Sequence, residues 1–307
     1  MNSTKKPVVA IVGNSGTVGL DLEKRLQNMH GIELVSLSRT QTLAERTRIL
    51  KTADVAVLCL PEHAAVEFVQ NAQAYPRLRI LDASSAYRTH PNWMYGLPEL
   101  NGHQPERIHT AMHVANPGCY ATGAILLLRP IMDALVKRGI SVQPDVAITA
   151  IGGVTSGGTK MIAQSEAEPF GYRLFGLNQQ HRHIAEIKTF AGLLDEPTFM
   201  PAVVAHQRGT MIQIPFNATT LGLTFDESRA ALQAAYAQTL NIKVHASAGG
   251  VRFLDGAELA GVDGVRIDVL GSEDKRRMVL VARFDNLGKG AAGAVEQSLR
   301  LMLDLPA

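Results

Sequence analysis

The sequence predicts an α/β fold in two domains, a parallel sheet covered by helices on both faces followed by an α+β domain. Three observations carry that expectation. Over the first 82 residues, short apolar runs alternate with amphipathic stretches, the pattern of strands joined by crossover helices. After Asn116-Pro-Gly-Cys-Tyr120 the strand-like segments lengthen and alternate apolar with polar residues, as in a mixed or antiparallel sheet that packs helices on one face. The chain also has 307 residues, beyond the roughly 250–300 at which a single core divides.

Element by element, Pro7 to Val12 (PVVAIV) is a buried-strand pattern that runs into Gly13-Asn-Ser-Gly16-Thr-Val-Gly19 and then a helix to about Met29. Glu33–Ser38, Asp54–Leu60 and Leu78–Asp82 are further strands, separated by helices near Leu43–Leu50 and Ala64–Ala74. A long apolar helix is expected from Cys119 to about Arg138, then strands at Asp145–Ile151, Met211–Phe216, Val265–Leu270 and Met278–Phe284. A last helix, about Gly290 to Asp304, closes the chain. The boundary is placed near Gly118. Residues 1–118 form the first domain, 119–287 the second, and 288–307 return to the first.

Composition excludes several classes. The 30 Lys and Arg against 28 Asp and Glu leave a formal charge of +2, without the basic excess of a nucleic-acid or membrane-surface binder. A hydrophobic fraction of 46% offsets the entropy of ordering the chain and excludes global disorder. Two cysteines, Cys59 and Cys119, argue for a reducing compartment and against a disulfide scaffold. No uninterrupted apolar run reaches the roughly 18–20 residues of a membrane span; the most apolar stretch, Ala121–Val136, is broken by Arg129, Pro130 and Asp133. Lys5 and Lys6 precede an apolar run too short for a secretory signal. The expectation is a soluble cytoplasmic protein.

Gly13-x-x-Gly16-x-x-Gly19 follows a strand and opens a helix, the context in which glycines let backbone approach a dinucleotide and seat its phosphates on helix N–H groups. The spacing differs from the usual G-x-G-x-x-G, and an ordinary tight turn is the alternative. The second strand ends Leu37-Ser38-Arg39-Thr40, with no carboxylate for a ribose 2′-hydroxyl and a guanidinium suited to a 2′-phosphate. That favours NADP over NAD, against a solvated surface arginine.

Cys119 follows Asn116-Pro-Gly118 at the start of the long helix, where the macrodipole favours a thiolate. Cys59, inside a strand, reads as an inert core thiol. An activated cysteine needs an acid–base partner, and His181-Arg-His183 supplies two candidates. Residues two apart in a helix point to nearly opposite faces, so one of the pair at most is expected to serve Cys119, with His183 preferred. No metal site is expected, because no zinc-ligand spacing is present.

Asp82-Ala-Ser-Ser-Ala-Tyr-Arg88, Tyr95-Gly-Leu-Pro-Glu99, Val114-Ala-Asn-Pro-Gly-Cys-Tyr-Ala-Thr-Gly123, His181-Arg-His-x-x-Glu186 and Asp285-Asn-Leu-Gly-Lys-Gly290 occur in that order. Together they resemble the N-acetyl-γ-glutamyl-phosphate reductase family of arginine biosynthesis, particularly its short type 2 form. The similarity runs from the glycine loop to the final helix. It implies an N-terminal Rossmann domain plus an α+β catalytic and dimerisation domain, as in aspartate-semialdehyde and glyceraldehyde-3-phosphate dehydrogenases. It also implies NADPH as hydride donor, Cys119 as nucleophile, and a homodimer or homotetramer. The implied cofactor set is Gly13, Ser15, Gly16, Thr17, Val18, Gly19, Ser38, Arg39, Pro61, Ser84, Gly157, Asn286, Gly288 and Lys289. Arg88 matches a family arginine near the active site. With Asn116 and Arg208 it completes the substrate-binding set. Two departures stand out: the loop reads Gly-Asn-Ser-Gly where short-form relatives often carry a Glu-His pair, and Ala185 stands where a proline is common.

The implied reaction is reduction of an acyl phosphate through a Cys119 thioester, with His183 or His181 exchanging the proton. Helix-start N–H groups would hold the oxyanion. The glycine-rich segment Ile151–Thr159 is either an N–H-rich phosphate loop or a plain connection. Another acyl phosphate, aspartyl or aminoadipyl, and a non-catalytic NADP-binding regulator remain as alternatives at this level.

Overall fold

The computed structural model describes residues 5–38, 40–140, 144–248 and 250–306. The chain divides into two compact units: Met1–Pro98, His103–Pro117 and Ala291–Ala307 form unit 1, and Glu99–Gly102 with Gly118–Gly290 form unit 2.

Unit 1 carries β1 (Val8–Val12), α1 (Thr17–Gln27), β2 (Glu33–Leu37), α2 (Leu43–Thr52), β3 (Val55–Leu58), α3 (Glu62–Ala72), β4 (Arg79–Asp82), β5 (Met94–Tyr95), α4 (Gln104–Thr110) and β6 (His113–Ala115). Its six strands lie in the order β2-β1-β3-β4-β6-β5, all pairs parallel. The runs VVAIV and VAVL are continuous because β1 and β3 are buried on both faces. Val8, Ala10 and Val12 pack with Ala65 and Phe68 on one side. Val9 and Ile11 pack with Leu22, Leu26, Val295 and Leu299 on the other. The last two belong to the C-terminal helix Gly293–Met302, which lies on unit 1 beside α1. The short β5 and β6 and the helix α4 show no readable period: two and three residues are too few, and α4 has only seven, with a proline second.

Arg79 fastens the C-terminal helix. Its guanidinium donates to Ala111 O at 3.0 Å, to His109 O at 2.6 Å and to Met302 O. One cation thus satisfies carbonyls at the C-terminal ends of two helices, where the macrodipole is negative. Partial burial pulls its pKa down from the ordinary arginine value. His109 Nδ1 adds a contact to Leu301 O at 2.9 Å.

Unit 2 begins with α5 (Cys119–Lys137), followed by β7 (Ala147–Gly153), α6 (Gly158–Ala167), β8 (Tyr172–Leu174), α7 (Arg182–Ala191) and β9 (Thr198–Val204). It continues with β10 (Thr210–Asn217), α8 (Ala218–Leu221), α9 (Phe225–Tyr236), β11 (Ile242–Ala248), β12 (Val265–Gly271) and β13 (Arg277–Phe284). The seven-stranded mixed sheet has the order β11-β12-β13-β10-β7-β9-β8, with β11–β12 and β7–β9 parallel and the other pairs antiparallel. Thr210, Ile212, Ile214 and Phe216 of β10 are buried and alternate with more exposed neighbours.

Helix α5 lies so close to this sheet that a Cβ at Gly123 would meet Ile212 Cγ1 at 2.5 Å and Phe284 Cε1 at 2.7 Å. The Tyr236 hydroxyl, on α9, donates to Leu126 O at 2.6 Å. Among the described residues α5 alone is long and apolar enough to cross a membrane, Arg129 and Pro130 notwithstanding, and it is mostly buried in unit 2. Strand β9, with Pro201 paired opposite Ala150 of β7, lies outside the sequence expectation.

Arg79→Met should lower unfolding stability by about 2–4 kcal/mol, since it strands several helix-end carbonyls at once. Arg79→Lys should fall between the two. A denaturant midpoint unchanged in Arg79→Met would contradict this account of how the C-terminal helix is held.

Candidate active site

In unit 1 the candidate residues gather along one edge because every strand runs the same way. Gly13 follows β1, Ser38 follows β2, Pro61 comes after β3, Ser84 after β4 and Asn116 directly after β6. All five therefore lie at the carboxyl edge of one parallel sheet. The chain winds in opposite directions from β1, toward β2 on one side and β3 on the other. Open α/β sheets bind ligands at that edge and at that switch point.

The glycine loop shows why three glycines are needed, for two different reasons. Gly13 has φ +86°, and a Cβ there would meet Cys59 O at 2.7 Å. A Cβ at Gly19 would meet Gly13 O at 2.7 Å. Gly16, the cap residue of α1, has open space around its Cβ position and no side-chain cap. Packing does not demand a glycine there, whereas a closely approaching ligand would. Thr17 Oγ1 is buried with no hydrogen-bond partner among the described residues. Ser15 is exposed and Val18 half-buried beside it. These features fit a dinucleotide phosphate. Asn14 of the loop is anchored by Glu23 of α1, whose carboxylate accepts from Asn14 Nδ2 at 3.0 and 3.1 Å and from Ser36 Oγ at 2.8 Å.

Ser38 Oγ is 2.7 Å from Thr40 Oγ1; Arg39 lies outside the described residues. Pro61 is the exposed cap of α3. Ser84 donates its hydroxyl to Asp82 Oδ2 at 2.7 Å and its N–H to Oδ1 at 3.0 Å. Burial nevertheless raises the Asp82 carboxyl above the usual range. Cys59 is pushed up to about 12 by burial and then by Asp82, so it stays a thiol at neutral pH. Arg88 Nε donates to Asn116 O at 3.0 Å. Asn116 is buried, with its Nδ2 on Pro117 O at 3.2 Å and its Oδ1 lacking a partner among the described residues.

In unit 2 the half-buried Cys119 is the first residue of α5, capped by Gly118. The first intrahelical hydrogen bond runs from Thr122 N–H to Gly118 O, so the N–H groups of Cys119, Tyr120 and Ala121 precede the helical ladder. The Gly118 N–H donates to Glu186 Oε1 at 2.8 Å, and Thr122 Oγ1 donates to Gly118 O at 3.0 Å. A Cβ at Gly290 would sit 2.9 Å from Cys119 Cβ, so the chain passing Cys119 must be glycine there. Tyr120 is buried, donates to Ala202 O at 2.9 Å and has its phenol raised by burial and by Cys119.

The two histidines depart from the sequence expectation. His181 is the cap of α7 rather than a helical residue, with φ −102° and ψ 131°, and its Nδ1 accepts the His183 N–H at 3.1 Å. Helical facing rules do not apply across a cap, and the two rings meet at 4.6 Å between centroids. His183 is buried and stands edge-on to the Tyr120 ring at 5.8 Å. One ring is thus joined to the residue after Cys119, and the other ring lies against it.

The remaining candidates sit in a network of unit 2. Arg208 Nε pairs with Asp285 Oδ2 at 2.9 Å; the fully buried Asp285 also accepts from Leu287 N–H at 2.9 Å and Gly261 N–H at 2.5 Å. Asn286 accepts from Gly209 N–H at 2.9 Å and donates to Thr155 Oγ1 at 2.7 Å. Lys289 donates to both oxygens of Glu99 at 2.7 Å, a pair almost wholly buried. A Cβ at Gly288 would meet Asp263 Oδ1 at 2.8 Å, and one at Gly157 would meet Met161 Cβ at 2.4 Å. Sequence reasoning gave no role to Glu186, Glu99, Asp285 or Gly290. Their signal was their place inside the quoted motifs, Glu186 lying one helical turn beyond His183.

Residues 38–110 match the family described as semialdehyde dehydrogenase, NAD binding domain, and residues 119–286 the one described as semialdehyde dehydrogenase, dimerisation domain. Relatives named N-acetyl-gamma-glutamyl-phosphate reductase include one from Rhizobium meliloti, 38% identical over 97% of this chain and 99% of its own. Another from Burkholderia cenocepacia is 39% identical over 97% of both chains. N-acetyl-gamma-glutamyl-phosphate reductase 2 of a Nostoc species is 37% identical over 98% of both. Among solved structures, aspartate semialdehyde dehydrogenase II from Vibrio cholerae shares the fold with a TM-score of 0.73 at 16% identity, over 98% of this chain and 99% of that one. The Francisella tularensis aspartate semialdehyde dehydrogenase gives 0.71 at 13%, over 96% and 99%.

Proposed function

Because the chain belongs to the N-acetyl-gamma-glutamyl-phosphate reductase family, we propose that it reduces N-acetyl-L-glutamyl 5-phosphate to N-acetyl-L-glutamate 5-semialdehyde and releases phosphate. The observation that carries this reading is Cys119, a half-buried thiol on the first residue of a long buried helix, with His183 against the neighbouring Tyr120. The helix macrodipole favours the thiolate there. The thiolate attacks the acyl carbon, the carbon–oxygen bond to phosphate breaks, and a Cys119 thioester forms. N–H groups at the start of α5 take the negative charge that builds on the carbonyl oxygen. The nicotinamide cofactor, when bound, supplies a hydride. His183, or His181 beside it, exchanges the proton as the aldehyde leaves and the thiolate returns.

Residues 1–118 with 288–307 serve as the cofactor domain, and 119–287 as the catalytic and oligomerisation domain. The glycine loop with Ser15, Thr17, Val18, Ser38, Pro61 and Ser84 holds the dinucleotide, and Gly157, Asn286, Gly288 and Lys289 complete that set. Arg88, Asn116 and Arg208 serve the substrate, Arg208 with its charge steadied by Asp285. The cofactor is NADPH, with Arg39 reading the 2′-phosphate. The protein works in the cytoplasm as a homodimer or homotetramer. Exposed Tyr172 and Leu174 on the edge strand β8, and Met200 on β9 beside it, are apolar surface that a second copy can cover.

The direct test of the reaction is phosphate-dependent oxidation of N-acetylglutamate semialdehyde with NADP. Strong activity on it, and little on aspartate semialdehyde, is expected; the reverse preference would overturn the substrate assignment. Arg39→Asp should weaken NADPH about ten- to a hundredfold, the worth of a lost charge-assisted hydrogen bond, while sparing NADH. Equal losses would remove Arg39 from cofactor choice. Light scattering at micromolar concentration should give at least twice the chain mass, and a monomer would refute the assembly.

A further inference from the structure

We infer that Glu186 is the positioning residue of the nucleophile: by accepting the N–H of Gly118 it fixes the cap of α5 and with it Cys119 as the first residue of that helix. The inference rests on Cys119 being the nucleophile proposed above. Gly118 has no side chain, so the start of α5 lacks the hydroxyl or carboxylate that usually fixes the first turn of a helix. Glu186 instead accepts the N–H of the cap residue itself, the part that a carboxylate three residues into the helix plays in a capping box, and does so from α7 at 2.8 Å with only 1% of its surface exposed.

A buried carboxylate is costly unless well hydrogen-bonded, and a negative charge near a thiol opposes its ionisation. Glu186 is therefore misplaced as an activator of Cys119 but well placed as an acceptor. Its N–H partner being Gly118, that donor is spent and does not serve the oxyanion. His183 lies three residues earlier on the same helix, hence on the same face. One turn of α7 thus carries both the grip on the cap of α5 and the imidazole that borders Tyr120. Their spacing is set by helix geometry.

The test compares Glu186→Gln, which keeps an acceptor oxygen, with Glu186→Leu, which removes it. Glu186→Gln should keep kcat within about fivefold. Glu186→Leu should lose about a hundredfold in kcat with KM changed less than about threefold, since small misplacements of reacting groups cost on this scale. A second readout needs no acyl substrate: the pH profile of iodoacetamide alkylation, followed at the Cys119 peptide by mass spectrometry. Both variants lack the carboxylate and retain the phenol of Tyr120 and the imidazoles of His181 and His183, so their difference isolates the hydrogen bond.

The profile of Glu186→Leu should lie at higher pH than that of Glu186→Gln, because a thiol released from the first turn loses the helix dipole. Coincident profiles, or equal kcat in the two variants, would overturn the inference. If Glu186→Leu fails to fold, Glu186→Asp, one methylene shorter, replaces it. A folded Glu186→Asp with kcat lowered at least tenfold supports the inference, and one within twofold of the parent overturns it. A parent enzyme inactive on the acyl phosphate would refute the reaction, while the alkylation contrast would still decide the part played by Glu186.

Discussion

A helix that begins with a glycine cap has no cap side chain to hold its start, and in this chain the first residue of that helix, α5, is Cys119. Three features secure that start: the Glu186 carboxylate on Gly118 N–H, the hydroxyl of Thr122, one turn into α5 itself, on Gly118 O, and the bare Cα of Gly290, which leaves room for Cys119 Cβ. Each comes from a different stretch of sequence. The rest of unit 2 follows from the need to keep them in place. Gly123 lets α5 sit directly on β10 and β13, Tyr236 ties its middle to α9, and Asp285 and Asn286 anchor the segment that brings Gly290 past the thiol.

Unit 1 answers a different demand. A parallel sheet puts every strand's carboxyl end on one edge, so residues scattered from Gly13 to Asn116 come to lie along a single line. Charge there is handled by hydrogen bonds: Asp82 is buried on Ser84, and Glu23 joins the glycine loop to β2. The two cysteines show how environment decides chemistry. Cys59, directly after β3, has its thiol held protonated by desolvation and by Asp82; Cys119 opens a helix.

Much of this was legible in the sequence wherever the physics is local. Val8–Val12 and Val55–Leu58 are apolar without a break because both of their faces are covered, and the Cys119 helix reads directly from its composition. The parts that were not legible depend on distant partners. Strand β9 pairs with β7 and β8 despite Pro201, and β5 and β6 are too short to show a period. His181 and His183 meet because the helix starts one residue later than helical facing rules assume. Nothing local marks Glu186, Glu99 or Asp285 as buried carboxylates; each is buried because its donor arrives from another element.

The central claim is covalent chemistry at Cys119. Mixing the protein with N-acetylglutamyl phosphate in the absence of a nicotinamide cofactor, quenching in acid and digesting would show it directly by mass spectrometry. The account predicts one acetylglutamyl group per chain on the Cys119 peptide, removable by hydroxylamine, with an equivalent of phosphate released. An enzyme that turns over the acyl phosphate with cofactor yet carries no adduct, or carries it on another residue, would contradict the account.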